Sequence, residues 1–416
     1  MINHDVDIAI IGGGPAGLAA AYSARNQGAK NVIVVDRNDW LGGILPQCIH
    51  DGFGVEETGH SMTGPEYAEM YIDRVNKMGI SCMTGTMVLE FTKNYNIIAI
   101  NKQGLHKIST KAIILAMGCR EKTRWHVMIP GDRPSGIFTA GVAQAFINLY
   151  NIMPGKNVVV LGSGDVGLIM ARRLKFEGAH VLGVVEILPF ASGLPRNVVQ
   201  CLDDYDIPLY LNYTITCIKG RNRLESVTIA QVDDTLHIIE GTEQEIPCDT
   251  LLLSLGLIPE NELSKTVGIE LDERTGGPIV DQHFETTIRG VFACGNCLQV
   301  YDTVDVLSLG AKHAGQHAAS YALNQFDQVR HSIPVKTLNG IRYIVPQRIS
   351  RSGVIQFTFR VERPSQSAVF HLKANGKDIF QKKLPWVNPA NMVEIKVELS
   401  DSLLKSVDHL EASLDG

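Results

Sequence analysis

The sequence predicts an α/β protein in which one βαβ unit occurs twice and a β-rich segment follows. Two apolar runs each break into a glycine-rich turn, continue at helical spacing and end in a second apolar run that is closed by an acid. Beyond Gln325, short alternating apolar runs replace that pattern. A chain of 416 residues has room for two or three domains, so each of these parts can form one.

The first unit runs from Val6 to Asp36. Its glycines have G-x-G-x-x-G spacing and are Gly12, Gly14 and Gly17. In a dinucleotide-binding fold the first glycine permits a tight turn, the second lets the backbone approach a pyrophosphate, and the third lets helix and strand pack closely. The helix N-terminus offers free N–H groups to the phosphates, and Asp36 is placed to accept hydrogen bonds from the adenosine ribose. We therefore predict a dinucleotide site in this unit.

The same constellation recurs between Asn157 and Glu186. Its glycines have the same spacing and are Gly162, Gly164 and Gly167. Glu186 follows the last of them at the distance in sequence that separates Asp36 from Gly17. Two such sites in one chain suit hydride exchange between two dinucleotides. Because an acid at this position accepts from a ribose 2′-hydroxyl and repels a 2′-phosphate, Glu186 favours NADH over NADPH.

The segments around the two glycine turns alternate between strands and helices. A glycine-rich loop is expected over 40–54, and a helix capped by Thr63 is expected over 63–77. Further helices are expected over 139–150, 195–204 and 309–323. Strands are expected over 86–91, 96–101, 105–109, 112–118, 207–213, 249–256 and 290–296, and a second antiparallel meander over 214–232 and 235–239.

The C-terminal segment predicts a small β-sandwich or sheet. Its alternating runs are 354–361, 368–373, 379–384 and 392–399. Asn375 and Gly376 form a hairpin signal between two of them. The segment has no chemical motif, so docking or oligomerisation is favoured over a catalytic role.

Composition and charge exclude several classes of protein. The net charge of −6 gives no electrostatic reason to expect nucleic acid or an acidic membrane as a partner. The N-terminus enters a strand directly, which argues against a signal peptide, and no apolar run approaches the roughly 20 residues of a membrane span. Eight cysteines without regular spacing fit a reducing cytoplasm. We expect a soluble, cytoplasmic protein.

Five motifs occur in an order that is typical of one superfamily. They are Gly12-x-Gly14-x-x-Gly17, Ala116-Met-Gly118, Gly162-x-Gly164-x-x-Gly167, Leu255-Gly-Leu-Ile-Pro259 and Val291-Phe-Ala-Cys-Gly-Asn296. Over about residues 5–325 the chain resembles the two-dinucleotide-binding-domain flavoproteins, the pyridine nucleotide–disulfide oxidoreductase superfamily. The resemblance implies two Rossmann-like three-layer ββα dinucleotide-binding domains, with the NAD domain inserted in the FAD domain. The expected boundaries are 1–122 and 258–328 for the FAD-binding domain, 123–257 for the NAD(P)-binding domain and 335–416 for the β-rich C-terminal domain.

The resemblance also assigns cofactor contacts. The residues expected to contact FAD are Gly12, Gly14, Pro15, Ala16, Asp36, Arg37, Gly43, Val88, Ala116, Met117, Gly118, Gly295 and Asn296. Those expected to contact NAD are Gly162, Gly164, Asp165, Val166, Glu186 and Gly256. The superfamily usually has an aspartate at the position of Asn296, which can still hydrogen-bond but brings no charge.

Longer matches indicate one subgroup of the superfamily. They cover residues 42–50, 63–67, 161–173, 257–262 and 294–296. These stretches are similar to the FAD/NAD(P)H oxidoreductase α-type subunits that accompany glycerol-3-phosphate, opine, proline or hydroxyproline dehydrogenases and hydrogen-cyanide synthase. The similarity implies that the chain exchanges electrons with a partner, an FAD-dependent dehydrogenase subunit. A homo-oligomer is a further expectation.

The cysteine pattern differs from that of disulfide reductases in this superfamily. One form of those enzymes has a C-x4-C pair after the double glycine, where this chain has Cys48 alone. Another form has C-x-x-C in the nicotinamide domain, and none occurs between Leu161 and Leu257. Cys294 and Cys297 have that spacing but lie where the backbone should hold FAD, and two further zinc ligands are not evident.

Cys48 and His50 are the catalytic candidates. A Cys48 thiolate could shield the flavin, form an adduct with it or relay electrons, and the alternative is a buried apolar cysteine. His50 could donate a proton when electrons leave the flavin, and the alternative is a hydrogen-bonded structural histidine. Hydride transfer itself needs no side-chain acid or base, because the protein supplies alignment and excludes water.

The function that these observations favour is an FAD-dependent oxidoreductase that transfers hydride between NAD(H) and FAD. Two alternatives remain open. One is a stand-alone disulfide or quinone reductase. The other is a non-catalytic scaffold subunit that binds FAD and an adenine nucleotide.

Overall fold

The computed structural model describes residues 1–325 and 332–416. Within these ranges the chain forms two compact units, the first from residues 1–119 and 259–416 and the second from residues 120–258. The predicted end of the FAD-binding domain at residue 328 lies outside the described residues, and the assignment of stretches to the two cofactors stays a prediction. No helix of the two described ranges is long and apolar enough to span a bilayer.

The elements up to residue 118 are as follows. The strands are β1 Ile2–Ile11, β2 Val32–Val35, β3 Ser81–Met83, β4 Met87–Phe91, β5 Asn96–Asn101 and β6 Gly104–Leu115. The helices are α1 Pro15–Asn26, α2 Val55–Thr58 and α3 Gly64–Lys77.

The elements of the second unit and its connections come next along the chain. The strands are β7 Cys119–Glu121, β8 Ile137–Thr139, β9 Asn157–Leu161, β10 His180–Glu186, β11 Leu209–Leu211, β12 Tyr213–Lys219, β13 Ser226–Gln231, β14 Gln244–Pro247, β15 Thr250–Leu253 and β16 Leu257–Pro259. The helices are α4 Arg124–Val127, α5 Ala140–Asn148, α6 Asp165–Phe176 and α7 Pro195–Cys201.

The remaining elements belong to the first unit. The strands are β17 Val291–Ala293, β18 Ile333–Thr337, β19 Ile341–Val345, β20 Arg348–Ile349, β21 Gly353–Val361, β22 Ala368–Ala374, β23 Lys377–Leu384, β24 Val393–Leu399 and β25 Leu410–Asp415. The helices are α8 Glu262–Thr266, α9 Val304–Ala322 and α10 Asp401–Leu404. Short 3-10 turns occupy Leu45–Gln47 and Gly295–Cys297 in the first unit and Asp203–Tyr205 in the second.

The first unit is built on a sheet with the order β3-β2-β1-β6-β5-β4, in which β17 also pairs with β6. The pairs that involve β1, β2, β3 and β17 are parallel, whereas β4, β5 and β6 form an antiparallel meander. Ile8 and Ile10 of β1 belong to the core that includes α1, α3 and α9, and Ala9 and Ile11 belong to the core that includes the meander. Because strand side chains alternate between faces, one apolar strand supplies both layers.

The strands expected over 105–109 and 112–118 are one strand, β6. Residues 104–109 pair with β5, and residues 106–115 pair with β1. The meander and the parallel part of the sheet are therefore joined by a continuous backbone.

The second unit repeats this design. Its parallel sheet has the order β11-β10-β9-β15-β8, and β12, β13 and β14 form a separate antiparallel sheet. One hydrophobic core lies between the parallel sheet and α5, α6 and α7, and another joins that sheet to the antiparallel strands. The prediction of three-layer ββα architecture is confirmed for both units.

The meander expected over 214–232 and 235–239 is confirmed only in part, because Ile238 makes an isolated antiparallel bridge with Val232 but no regular strand forms over 235–239. Asp233 accepts hydrogen bonds from the backbone N–H of Thr235 at 2.8 Å and of His237 at 2.9 Å, and Leu236 has φ of +64°. These local bonds make a turn, and β14 takes the place of the third strand beside β13.

The β-rich C-terminal part has two sheets, β20-β18-β25-β22-β23 and β19-β21-β24, around a common core. The predicted hairpin at Asn375 and Gly376 is confirmed, since both residues have positive φ (50° and 74°) between β22 and β23. With these sheets, the predicted fold class is confirmed.

Candidate functional site

The first glycine turn lies between β1 and α1. Gly12 has φ of +112°, and a Cβ atom there would lie 2.2 Å from the carbonyl oxygen of Ala116. A Cβ on Gly17 would lie 1.8 Å from the carbonyl oxygen of Gly12. At Gly14 the nearest atom, Cα of Gly43, would be 3.8 Å away. Gly12 and Gly17 are therefore required by packing, whereas Gly14 leaves open space in front of the helix.

Asp36 borders this turn from the end of β2. Its carboxylate is buried and accepts hydrogen bonds from the N–H of Gly13 at 2.6 Å and of Asn38 at 2.8 Å. Each carboxylate oxygen keeps a lone pair for a further donor such as a ribose hydroxyl. Gly42 donates its N–H to the carbonyl of Gly13 at 2.8 Å, which fastens the loop after β2 to the same turn.

Two further strand ends meet the start of α1. Ala116, after β6, donates its N–H to the carbonyl of Ile11 at 2.8 Å. Gly295, after β17, has φ of +71°, and a Cβ there would lie 2.6 Å from Cβ of Ala16. The Asn296 side-chain oxygen accepts the N–H of Tyr301 at 3.1 Å.

The structure brings most of the residues expected to contact FAD to one place. This group comprises Gly12, Gly14, Pro15, Ala16, Asp36, Gly43, Ala116 and Gly295. Gly118 has φ of +73° and open space around its Cβ position, and Arg37 is exposed. Val88 is buried within β4, whose start lies beside Asp36 because Thr86 donates its N–H to the Asp36 carbonyl at 2.8 Å. Met117 is half-buried.

The cradle around Gly14 fits a pyrophosphate. Helix α1 has no side-chain cap at its N-cap residue and no acid in its first turn, so its first N–H groups face the open space with positive partial charge. This feature suits an anionic ligand such as the pyrophosphate of FAD.

The second glycine turn has the same construction around Ser254. A Cβ on Gly162 would lie 2.2 Å from the carbonyl oxygen of Ser254, and one on Gly167 would lie 2.5 Å from Cβ of Ser254. Gly256, two residues further, has φ of +91° and open space, as Gly118 has in the first unit. The two sites thus share one packing arrangement, in which the end of a strand packs on a glycine turn.

Glu186 is buried at the end of β10, and its carboxylate accepts more hydrogen bonds than that of Asp36. One carboxylate oxygen accepts from Ser163 N–H (3.0 Å), the Ser163 hydroxyl (2.5 Å) and the Ser192 hydroxyl (3.0 Å). The other accepts from Leu188 N–H at 3.0 Å.

Two more residues expected to contact NAD lie at the start of α6. Asp165 accepts from Leu194 N–H (2.8 Å) and from the Asn197 amide (2.7 Å), so its carboxylate is bonded to the segment after β10. Val166 is half-buried beside it. The loop 187–194 is therefore fastened to the turn both through Glu186 and through Asp165.

Cys48 lies against the start of α3. Its Sγ donates to the carbonyl of Ile44 at 3.6 Å, and a Cβ on Gly64 would lie 2.8 Å from the Cys48 Cβ. Burial raises the pKa of the Cys48 thiol to about 12, which favours the neutral thiol. The thiolate is the reactive form of cysteine, so this raised pKa does not favour a redox role for Cys48. That role stays a prediction.

His50 packs on Phe53 with ring centroids 5.0 Å apart, and its Nδ1 lies 3.0 Å from the carbonyl oxygen of Asp51. These contacts hold the ring within its own loop. A role as proton donor stays a prediction.

The C-x-x-C pair at Cys294 and Cys297 is fully buried. The Cys297 thiol donates to the carbonyls of Leu115 and Cys294, both at 3.2 Å. Burial raises the pKa of Cys297 to about 11 and that of Cys294 well above its ordinary value. No disulfide joins any of the eight cysteines, and the described residues contain no cluster of three His, Cys, Asp or Glu side chains arranged to hold a metal.

Sequence reasoning missed a buried network around Glu57. Its donors are Lys312 Nζ (2.6 Å), Arg74 Nη1 (2.8 Å), Tyr67 OH (2.7 Å) and Tyr71 OH (2.8 Å). The spacing of three of these donors along α3 places them on one helix face and was the available signal. Glu57 and Lys312 are too far apart in sequence for any local pattern to connect them. Ser163, which is 23 residues from Glu186, was missed for the same reason, and Ser192 was missed because an irregular loop has no side-chain periodicity.

Comparison with known proteins agrees with this construction. The family model for pyridine nucleotide-disulphide oxidoreductases matches residues 6–322. An alkyl hydroperoxide reductase component of Staphylococcus aureus is 29% identical over 332 residues, which cover 78% of this chain and 59% of that protein. An opine oxidase component of Agrobacterium tumefaciens is 26% identical over 312 residues, which cover 70% of this chain and 61% of that protein. Both relatives are named as single subunits of their enzymes.

The matched region thus spans 59% and 61% of the length of these two curated relatives. Among solved structures, thioredoxin reductase from T. acidophilum has the same fold, with a TM-score of 0.64 and 24% identity over 77% of this chain and 99% of that one. Since the family model covers most of the chain and both glycine turns have the geometry described above, the chain belongs to the pyridine nucleotide-disulphide oxidoreductase family of enzymes, in which FAD and a pyridine nucleotide are the typical cofactors.

Proposed function

We propose that the protein is an NADH-dependent FAD oxidoreductase subunit that exchanges electrons with a partner dehydrogenase subunit. The observation that carries the proposal is the pair of glycine turns, each packed under a strand end and each bordered by a buried acid, Asp36 or Glu186. One chain then holds a dinucleotide in each unit. When both are bound, hydride passes between nicotinamide C4 and flavin N5.

The residues of the first turn would hold FAD. The first N–H groups of α1 would bind the pyrophosphate across Gly14, and Asp36 would accept from the adenosine ribose. Gly118 and Gly295 would let the backbone approach the remainder of the cofactor. Asn296 would supply a neutral hydrogen-bonding group where the superfamily usually has an aspartate.

The residues of the second turn would hold NADH in preference to NADPH. Glu186 is buried beside the turn, so a 2′-phosphate would meet a carboxylate in a poorly solvated position. The 2′-hydroxyl of NADH is an uncharged donor and suits the same carboxylate.

A partner protein is proposed as the exit or entry point for electrons. The opine oxidase relative is, by its name, one part of a larger enzyme. The buried, neutral Cys294 and Cys297 do not favour disulfide exchange, and Cys48 has no neighbouring cysteine in its loop. The electrons of the flavin would therefore pass to or from another protein rather than through a thiol pair of this chain.

The test is an anaerobic titration of the purified, FAD-loaded protein. We expect a yellow protein that one equivalent of NADH bleaches and that NADPH bleaches at much higher concentration. A yellow protein that neither nucleotide bleaches would contradict the proposal and support the scaffold alternative. Rapid turnover with a disulfide or a quinone in the absence of any partner would support a stand-alone reductase instead.

A further inference from the structure

We propose that Ser192 is a specificity-determining residue whose hydroxyl occupies the acceptor position on Glu186 that the adenosine 2′-hydroxyl of NADH takes. Binding of NADH would then exchange one uncharged hydroxyl for another. The inference rests on the proposed function, because it requires an adenosine ribose at the second glycine turn.

The bonding of Glu186 carries the first step. A carboxylate offers about four lone-pair positions, and four protein donors already approach it: Ser163 N–H, the Ser163 hydroxyl, the Ser192 hydroxyl and Leu188 N–H. Asp36, the corresponding acid of the first unit, has two such donors. Three of the four donors at Glu186 converge on one oxygen, Oε2, which has two lone-pair positions, and Leu188 N–H reaches the other oxygen. A ribose hydroxyl can therefore reach Asp36 directly, whereas at the crowded Oε2 of Glu186 it must replace a donor.

The second step is to identify which donor leaves. The N–H group of Ser163 belongs to the glycine turn, and that of Leu188 belongs to backbone directly after β10 whose carbonyl accepts the N–H of Asn212, so neither is free to rotate as a side chain is. The Ser163 hydroxyl is held from its other side by the N–H of Ser192 at 2.8 Å. The Ser192 hydroxyl has a weaker second contact, with the Ser163 hydroxyl at 3.1 Å. Since Ser192 is exposed, its side chain can rotate so that the hydroxyl forms hydrogen bonds with water instead.

The third step concerns the loop that carries Ser192. Leu194 N–H is bonded to Asp165, and a Cβ on Gly193 would lie 2.8 Å from the carbonyl oxygen of Ser163. The backbone next to Ser192 is thus packed on the glycine turn. The exchange at Glu186 then needs a side-chain rotation and leaves the loop in place.

The exchange also explains discrimination between nucleotides. A 2′-hydroxyl can replace the Ser192 hydroxyl because it donates one hydrogen bond to the carboxylate. A 2′-phosphate carries no donor when ionised and repels Glu186, so Ser192 would keep its place and NADPH would lose that contact.

The experiment is calorimetric titration of the FAD-loaded, full-length protein with ADP and with 2′-deoxy-ADP. ADP has the adenosine ribose and no nicotinamide, so its binding does not depend on hydride transfer, and bound FAD keeps the first site filled. The variants are Ser192→Ala and the control Ser135→Ala, which removes a serine hydroxyl that donates to the carbonyl of Asn222 in the same unit.

We expect Ser192→Ala to lower the Kd for ADP by about 2- to 12-fold, the range that corresponds to one net hydrogen bond. The Kd for 2′-deoxy-ADP should not change, because that nucleotide has no hydroxyl to occupy the vacated position. Ser135→Ala should leave both Kd values unchanged.

An ADP affinity that Ser192→Ala leaves unchanged or weakens would overturn the inference, as would an equal gain for both nucleotides. In either case bleaching of the flavin by NADH would still support the proposed function. If the wild type and both variants all fail to bind ADP, that result would contradict the inference and the proposed NADH site together.

Discussion

At the scale of single residues, the glycines of the first turn have different physical roles. A side chain at Gly12 or Gly17 would collide with backbone oxygens of the protein itself. Gly14 has φ of −76°, which any residue adopts, and its nearest protein neighbour leaves room for a methyl group. Packing explains two of the three glycines, and the pyrophosphate that we propose at this turn would explain the third.

The variant Gly14→Ala therefore should fold normally and bind FAD at least about 10-fold more weakly, because its methyl group lies where the backbone must approach the pyrophosphate. Flavin fluorescence titration of the apo-protein measures the affinity, and thermal unfolding measures the stability. The matched control is Gly17→Ala, which should lose about 2 kcal/mol of stability or more from overpacking. Undiminished FAD affinity in Gly14→Ala would show that the pyrophosphate lies elsewhere.

At the scale of elements, the four-residue helix α2 depends on tertiary contacts. Asp305 of α9 accepts the N–H groups of Gly54 and Glu57, both at 3.1 Å, and so supplies a cap that the sequence around α2 lacks. Glu57 is bonded in turn to α3 and α9 through its network of Arg, Lys and Tyr donors. A helix this short has little stability of its own, so these bonds hold α2 and the adjoining loop of Cys48 and His50.

The pH dependence of stability should report on Glu57. Burial would by itself raise the pKa of Glu57, but the hydrogen bonds from Lys312, Arg74 and the two tyrosines outweigh it and lower the pKa to about 2. Since the folded pKa lies below the ordinary value of 4.5, the stabilisation is complete above about pH 5 and is lost as the pH falls towards 2. It amounts to about 3 kcal/mol at neutral pH.

We expect Glu57→Gln to lower the free energy of unfolding by about 3 kcal/mol at pH 7 and by progressively less as the pH falls from 5 to 3. Denaturant unfolding at several pH values measures this difference. Glu69→Gln on the exposed face of α3 is the control and should leave the stability unchanged. If Glu57→Gln lowers the free energy of unfolding equally at pH 7 and pH 3, ionisation of Glu57 would not be the source of the pH dependence.

Arg360 on strand β21 of the C-terminal part forms a largely buried ion pair with Asp302. Arg360 also donates to the Tyr343 hydroxyl at 3.0 Å and to the Ala390 carbonyl at 2.7 Å. Asp302 lies just beyond Asn296, one of the residues proposed to contact FAD. The pair thus links the C-terminal sheets to the segment after β17.

Removal of Arg360 should be costly because it leaves the Asp302 carboxylate buried without its partner. We expect Arg360→Ala to lower the free energy of unfolding by about 3 kcal/mol. Lys77→Ala, which breaks the exposed pair with Asp73, should cost less than about 0.5 kcal/mol. Equal, small losses in both variants, measured by denaturant unfolding, would show that the pair is not important for stability.

At the scale of the whole molecule, the unit of residues 120–258 has its own parallel sheet, its own antiparallel sheet and two hydrophobic cores. Every residue of those cores lies within the unit. A segment with a complete core is expected to fold independently.

We therefore expect the fragment 120–258 to fold alone and to bind ADP with a Kd within about threefold of that of the FAD-loaded chain, a difference of less than about 1 kcal/mol. Circular dichroism and calorimetry on the fragment measure both properties. An unfolded fragment would contradict the expectation of independent folding. A folded fragment that does not bind ADP would contradict the assignment of the nucleotide site to this unit.

The two glycine turns illustrate how much of the fold could be predicted from the amino-acid sequence. The α/β class, the two glycine turns with their acids and the hairpin at Asn375 and Gly376 were all predictable, and the Thr63 cap was too, since its hydroxyl and Glu66 form a capping box in the structure. These features lie within one turn or one βαβ unit, where spacing and backbone preference determine the outcome. The roles assigned to individual cofactor residues remain predictions.

Other features depend on residues that are distant in sequence and became visible only in the folded chain. They include the continuous β6 where two strands were expected, the Glu57 network and the hydrogen bonds of Ser163 to Glu186. Local pattern identifies a turn or a cap because its hydrogen bonds close within a few residues, and it identifies a strand from its run or alternation of apolar side chains. It does not identify which distant donor satisfies a buried carboxylate, because that choice is made when helices and strands pack and every buried polar group must find a partner.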